Sequence, residues 1–409
     1  MRRCLSSLAT MFENKNILVG VTGGIAAYKV PDIIRAIRKN NGNVRAVLTA
    51  SAAKFVTPLT LATLTEQPVL MEMFIDESRR STIHIDSARW ADAILICPAT
   101  ANTMGKIAHG IADNLLTTLI MAATSPVIFC PAMNKKMVAN TFYQQNLKKL
   151  QQAGYHFVDS EPGELACGEF GAGRLADKIK ILARLRKVLF GNQRLVGKKV
   201  LVTAGRTEEK IDPVRYISNY STGKMGFALA EAAWIEEAEV TLITGPTELT
   251  TVDEIKLIRV ESSEQMMTAV DNALPTHDVV VMAAAVADFK PKHFQEQKIK
   301  KSTALQTFEL QQTTDILKTV GEKKGEKIIV GFAIETENEL SNAEKKMREK
   351  NLDFIILNNP NVLGAGFGYD TNVATILDRM GGREKLPLMS KKKLAEIIIN
   401  KIVDFRKDR

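Results

Sequence analysis

The chain has 409 residues, of which 25% are charged and 45% hydrophobic, and its formal net charge is +9. These values fit two globular domains with full cores, and no apolar run approaches the roughly 20 residues that a bilayer-spanning helix needs, so no membrane partner is expected. The cationic excess suits anionic partners, but aromatic residues make up only 6% and neither a base-stacking platform nor a zinc-finger spacing occurs; phosphorylated small molecules account for the charge as well as nucleic acid does, and they are the expected partners.

The opening MRRCLSSLAT is basic and hydroxyl-bearing but lacks the apolar centre of a signal peptide. Residues 1–14 are expected to be a disordered overhang or a start assigned too early. Strand-like apolar runs then alternate with helix-length amphipathic stretches. NILVGVTG (16–23) leads into KVPDIIRAIRKN, and VRAVLTA (44–50) into AKFVTPLTLATLT; ADAILICPA (91–99), IADNLLTTLIMAAT and PVIFCPAM (126–133) continue the series. At VLFGNQRLVGKK (188–199 in outline) the series stops, and KVLVTAG (199–205) restarts it. Helix MGFALAEAAWIEEA and strands EVTLITG, HDVVVMAAAVAD, KIIVGFAIET, LDFIILN and ATILD follow. This alternation predicts an α/β protein of two doubly wound, Rossmann-like three-layer domains, over 15–189 and 190–409.

In such sheets ligands bind beyond the carboxyl ends of the strands. The Gly23-Gly24 turn runs into a helix, where backbone amides and the helix dipole favour a phosphate, although many α/β proteins turn this way without a ligand. Ser51 follows the second strand, and Thr100, Asn102 and Thr103 follow another. Asn134 ends a further strand, with an amide that can both donate and accept. His84 is either a packing residue or a base working near neutral pH. Of the four cysteines (Cys4, Cys97, Cys130, Cys167), none has metal-ligand spacing or a place in a disulfide framework, which fits a reducing cytoplasm. Cys97 and Cys130 precede prolines and read as buried packing residues. Cys167 stands in ELACGEFGAGRLAD, whose glycines suit a loop that closes and reopens. With an ordinary pKa near ~8.5 its thiol would be mostly protonated at neutral pH, the state of a proton donor.

In the second half, VTAGRTEEKIDPVRYISNYSTGKMG (202–226) is a strand, a long polar loop and a Ser-Thr-Gly-Lys helix start, without P-loop spacing or a dinucleotide fingerprint. Asp288 ends another strand, and KHFQEQKIKK beyond it is either a solvated edge or a lysine loop over a nucleoside triphosphate. SKKKLAEI (390–397) reads as the solvated face of a terminal helix.

GVTGGIAAYK, IHI, PATANTMGKIAHGIADNLLTT, PAMNKKM and ACGEFGAGR occur in the order seen in flavin-containing cysteine decarboxylases. DPVRYISN, GKMG, AAAVADF, KIKK, GFAIET and KNLD resemble the ligase family fused to them. Over nearly the whole chain beyond residue 15 the sequence resembles the bacterial bifunctional phosphopantothenoylcysteine decarboxylase/phosphopantothenate–cysteine ligase family of coenzyme A biosynthesis. The resemblance implies FMN held by Gly23, Gly24, Ile25, Ser51, Thr100, Ala101, Asn102 and Thr103, with His84 assisting oxidation, Asn134 holding the substrate carboxylate and Cys167 acting as the acid. A cysteine carboxylate has no electron sink; oxidation of its CH2–SH to a thioaldehyde provides one, and loss of carbon dioxide leaves an enethiolate to be reduced.

For the second half it implies activation of phosphopantothenate by CTP and Mg2+ to an acyl-cytidylate, from which the cysteine amine displaces CMP. Lys298 would offset developing charge, Asn219 would serve turnover of the acyl-cytidylate, and Met282, Ala283, Ala284, Asp288, Asp315, Ile316, Phe332, Lys346 and Lys350 would bind CTP. It also implies a cytoplasmic homo-oligomer, with trimeric and dimeric units combined in a dodecamer. The chain departs from the family at Val138, where Trp is usual, at Arg206 and Lys210, where Gly and Pro are commoner, and at Thr313-Thr314, where Asn-Pro is usual. The last two bear on the choice of CTP over ATP. A regulatory binding module with the flavin fold would lack the Cys167 loop or the ligase half; a flavin or nicotinamide oxidoreductase would turn over an external hydride donor, and the absent dinucleotide fingerprint weighs against the nicotinamide kind.

Overall fold

Branched apolar runs bounded by Gly, Asn and Pro give the first sheet its strands: β1 (Asn16–Val21), β2 (Asn43–Leu48), β3 (Ala93–Ala99), β4 (Val127–Pro131) and β5 (His156–Phe157). The structure is a computed structural model that describes residues 11–74, 82–164, 166, 168–300, 307–334, 339–358, 364–366 and 368–407. The five strands are parallel in the order β2-β1-β3-β4-β5. Every residue of β3 and β4 is buried, as befits central strands covered on both faces.

Alternation along β1 separates two cores. Ile17, Val19 and Val21 join Ile33, Ile34 and Ile37 of α1 (Val30–Lys39) on one face, whereas Leu18 turns to the other. The i, i+1, i+4 spacing in α1 puts a single stripe inward. Burying each such side chain contributes roughly 1.5–3 kcal/mol. The remaining helices of this unit are α2 (Pro58–Thr65), α3 (Ile83–Trp90), α4 (Ala101–Ala108), α5 (Leu115–Ala122), α6 (Lys135–Val138), α7 (Thr141–Gln152) and α8 (Lys178–Phe190). An antiparallel hairpin, β6 (Glu161–Glu164) and β7 (Phe170–Arg174), precedes α8.

The chain divides into two compact units, one ending at Gly191 and the other beginning its main body at Asn192. The second contains β8 (Lys199–Ala204), the hairpin β9 (Glu208–Lys210) and β10 (Tyr216–Ser218), helix α9 (Lys224–Ile235), β11 (Glu239–Thr244) and β12 (Lys256–Arg259). Helix α10 (Ser263–Ala273), β13 (Val279–Met282), the pair β14 (Phe289–Pro291) and β15 (Leu310–Gln312), and α11 (Ile316–Glu322) follow. Next come β16 (Ile328–Ile334), α12 (Glu339–Glu349), β17 (Phe354–Asn358), β18 (Thr371–Asn372) and β19 (Ala374–Asp378). The chain ends with β20 (Arg383–Lys385), β21 (Met389–Ser390) and α13 (Lys391–Lys407).

The main sheet runs β12-β11-β8-β13-β16-β17-β19-β20. Its first six strands are parallel, while β19 and β20 add on antiparallel. The turn from β19 to β20 spans only residues 379–382, too few for a parallel crossover. No helix among the described residues is long and apolar enough to cross a membrane.

His277, just before β13, is 8% exposed; its Nδ1 lies 2.7 Å from the Ala273 carbonyl and its Nε2 3.0 Å from Thr241 Oγ1. Burial lowers its pKa from the ordinary 6.5; the Ala273 carbonyl opposes this and the charges of Lys199 and Lys256 add to it. Below 6.5 the unfolded chain therefore binds a proton that the folded chain refuses, so stability falls as pH drops toward and through the folded value. His277→Gln should lower Tm near neutrality, and the gap to wild type should narrow between about pH 7.5 and about pH 5.5. Thermal melts across that range check it; a pH-independent gap would show that His277 does not titrate in this way.

Candidate active sites

In the first sheet the connections leave β1 and β3 in opposite directions, which opens a crevice at their carboxyl ends. A buried threonine between β1 and the Gly-Gly turn braces it: Thr22 Oγ1 donates to the Pro98 carbonyl (2.6 Å) and accepts from the Thr100 N–H (3.0 Å). Gly23 packs so closely that an added Cβ would stand 2.4 Å from Ser51 Cβ, and one at Gly24 would lie 3.6 Å from Thr100 Cγ2. Gly23, Gly24, Ser51 and Thr100 thus converge from three strand ends. Thr100 caps α4, its Oγ1 accepting from the Thr103 N–H at 3.4 Å, which places Ala101, Asn102 and Thr103 in the first turn. Ile25 follows in a short 3-10 helix and is 57% exposed. Glycine at the closest approach and a helix start at the crevice form a cradle fit for a flavin phosphate.

His84 lies in the first turn of α3. Its Nδ1 is buried and has no hydrogen-bond partner among the described residues, leaving a polar atom that a ligand can satisfy. Asn134 caps α6, accepting from the Lys136 N–H (2.8 Å), and its Nδ2 donates to Glu169 (3.4 Å).

The glycine-rich stretch beyond Cys167 is not a free loop but β7. Gly173 has φ +124°, and an added Cβ would sit 2.0 Å from the Met133 carbonyl oxygen, while the Met133 N–H donates to Gly173 O at 2.9 Å. Glycine is required there for close approach to the Asn134 loop, not for mobility. Cys167 itself lies outside the described residues. Cys97 and Cys130 are buried in the sheet, and burial pushes the Cys130 thiol well up, with Cys97 adding to the shift; both are packing residues.

The second sheet repeats the plan. Buried Thr203 at the end of β8 accepts from the Ala284 N–H beyond β13 (3.1 Å), bridging the strands that flank its own switch point. A cavity of about 770 Å³ opens there. Asn219, Met282, Ala283, Ala284, Asp288, Asp315, Ile316, Phe332, Lys346 and Lys350 all line it. Lys298 is exposed and does not line it.

Both Asn219 Nδ2 hydrogens are spent on the carbonyls of Ala285 and Val286 (3.1 Å each), so its Oδ1 is left as an acceptor. Asp315 caps α11 and pairs with Lys350 at 2.7 Å. Burial alone would raise its pKa, but Lys350 and the Lys318 N–H outweigh that and hold it below the usual carboxylate range.

Sequence reasoning missed the far end of this cavity. Lys391 opens α13 but is only 8% exposed, and its Nζ donates to the carbonyls of Gly366 (3.0 Å) and Tyr369 (2.6 Å). Lys224 reaches the same loop through Gly368 O (2.9 Å) and Asp370 (2.7 Å). Burial and then the Lys224 charge lower the Lys391 pKa, against Asp370. The SKKK run is therefore not uniformly a solvated face; its first lysine turns inward because the loop carbonyls need a donor. No signal short of that loop's position reveals it.

Another cavity, of about 720 Å³ beside α10, gathers none of the expected residues. Among the described residues no three His, Cys, Asp or Glu side chains are grouped to hold a metal ion.

The chain matches the family model described as Flavoprotein over residues 5–190 and that described as DNA/pantothenate metabolism flavoprotein C-terminal domain over residues 195–405. It is similar to the Coenzyme A biosynthesis bifunctional protein CoaBC of Bacillus subtilis (strain 168), with 44% identity over 401 residues, 97% of this chain and 98% of that one. The protein of the same name from Vibrio cholerae serotype O1 is 40% identical over 391 residues, 95% of this chain and 98% of that one. A Cysteine/Cysteine sulfinic acid decarboxylase from an unknown prokaryotic organism is 44% identical over 354 residues, 85% of this chain and 99% of that one.

Proposed function

The chain belongs to the family of coenzyme A biosynthesis bifunctional proteins, and on that premise we propose how its two units divide the work. It is a bifunctional enzyme of coenzyme A biosynthesis, with phosphopantothenate–cysteine ligase and phosphopantothenoylcysteine decarboxylase activities. The observation that carries our assignment of the ligase site is the cavity at the second switch point, to which the expected nucleotide residues converge.

In our reading CTP lies against Met282–Ala284 and Phe332, with Lys346 and Lys350 serving its phosphates and Mg2+ entering on the triphosphate. Asn219, its amide hydrogens committed, offers Oδ1 to the amine of the incoming cysteine. Lys298 offsets charge as the acyl-cytidylate forms. In the same reading the enzyme works in the cytoplasm as a homo-oligomer, as a dodecamer of trimeric and dimeric units. Incubation with phosphopantothenate, cysteine, CTP and Mg2+ should yield CMP, pyrophosphate and phosphopantetheine by mass spectrometry. Turnover of free cysteine alone, with no CMP released, would overturn the reading; ATP in place of CTP reports nucleotide choice.

On the decarboxylase side, FMN when bound supplies the hydride acceptor and donor that a cysteine side chain lacks. Gly23–Ile25, Ser51 and Thr100–Thr103 would hold it, His84 would take the thiol proton, and Asn134 would orient the substrate carboxylate. The purified protein should carry visible flavin absorbance, and Gly23→Ala should lose it, because the new methyl meets Ser51 at 2.4 Å. A colourless wild type that FMN cannot reconstitute would refute the cofactor; a fully flavinated Gly23→Ala would refute the cradle.

A further inference from the structure

We propose that Asp212 is a positioning residue of the ligase: it fixes the backbone beside Lys298 to the loop between β9 and β10. The inference rests on the reading of Lys298 as a participant in acyl-cytidylate formation. Residues 213–216 are exposed, yet the Asp212 side chain is completely buried.

A buried carboxylate needs donors, and Asp212 has five. Its Oδ1 accepts the N–H groups of Val214 and Arg215, both at 2.8 Å, closing the local turn. Its Oδ2 accepts Arg215 Nε (3.0 Å), Arg215 Nη2 (2.6 Å) and, from 87 positions along the chain, the Ile299 N–H (3.1 Å). Burial would raise the carboxyl pKa, but these donors hold it well below the usual range, so it stays ionised in any assay near neutrality.

The same pair takes both backbone groups of Ile299, because Arg215 Nη2 also donates to the Ile299 carbonyl at 2.7 Å. A further bond, Gln295 N–H to Ile211 O (3.0 Å), ties the segment at its other end. Lys298 sits between these two anchors, on exposed chain that belongs to no strand or helix. Its ammonium can be brought to the triphosphate reproducibly only if that chain is held, and a displacement of about 1 Å can cost on the order of 10²-fold in rate.

The two oxygens of Asp212 do different jobs, which makes the idea testable. Asp212→Asn can keep the turn through Oδ1 while setting an NH2 group against Arg215 and the Ile299 N–H. Pyrophosphate release under single-turnover conditions, with phosphopantothenate, CTP and Mg2+, is expected to slow by about 10- to 100-fold, with decarboxylation of supplied phosphopantothenoylcysteine unchanged. In a Lys298→Gln background the same change should add nothing, because Asp212 acts through the lysine. Arg215→Ala removes the bond to the Ile299 carbonyl while keeping the backbone N–H groups that close the turn, and should reproduce the loss and the non-additivity should Asp212→Asn fail to fold. An Asp212→Asn cost that persists undiminished in Lys298→Gln, or no cost in either variant, overturns the proposal. If Lys298→Gln alone leaves pyrophosphate release intact, the reading of Lys298 fails first and the positioning role falls with it.

Discussion

Lys298→Gln is expected to lower ligase turnover by about 10²–10³-fold while leaving decarboxylation of supplied phosphopantothenoylcysteine at the wild-type rate. The lysine is a compact charge on a flexible stem, and it stands on exposed chain outside the cavity wall. Lys346 and Lys350 line the cavity itself, and Lys350 is already engaged with Asp315 at 2.7 Å. Removing Lys298 withdraws a charge supplied from a different segment than the lysines of the cavity wall. Selectivity follows from the division of the chain: Gly23, Ser51, Thr100 and Asn134 belong to the unit that ends at Gly191, and Lys298 to the other. Assaying the two half-reactions separately checks this. An equal loss in both would point to one shared site or to misfolding.

Cys167→Ser should split the decarboxylase reaction in time. Oxidation and loss of carbon dioxide need no acid at this position, so they should proceed; delivery of the final proton should not. Mass spectrometry should then find a product two hydrogens lighter than phosphopantetheine, and phosphopantetheine output should drop by about 10²–10⁴-fold, the usual worth of a positioned acid. A serine hydroxyl is a far weaker acid than a thiol whose ordinary pKa is near ~8.5, which is why an isosteric change suffices. Among the described residues, β7 pairs with β6 and its Gly173 carbonyl accepts from the N–H of Met133, next to Asn134. Normal phosphopantetheine output from the variant would remove Cys167 from the mechanism.

Much of the architecture was legible along the chain because its causes are local. A short branched apolar run such as ILVGV bounded by polar residues and glycine favours a buried strand, and the Val30, Ile33, Ile34, Ile37 spacing favours one face of a helix. The interrupted alternation near residue 190 and the Gly23-Gly24 turn can be read along the chain; that Thr100 and Asn134 cap helices is a finding of the structure.

Sheet order decided the rest, because it brings together residues far apart in sequence. Thr22 meets Pro98 and Thr100, and Thr203 meets Ala284, only because β1 lies beside β3 and β8 beside β13. Gly173 reads as a hinge until Met133 is seen pressing on it. Lys391 reads as surface until it is found donating to the Gly366 and Tyr369 carbonyls, and Asp212 is one residue of a long polar loop until the Ile299 N–H is found bonded to it. In each case a polar group or a missing side chain is explained by a partner that secondary structure does not place. Local pattern fixes which residues can form an element; long-range packing fixes which of them must satisfy one another.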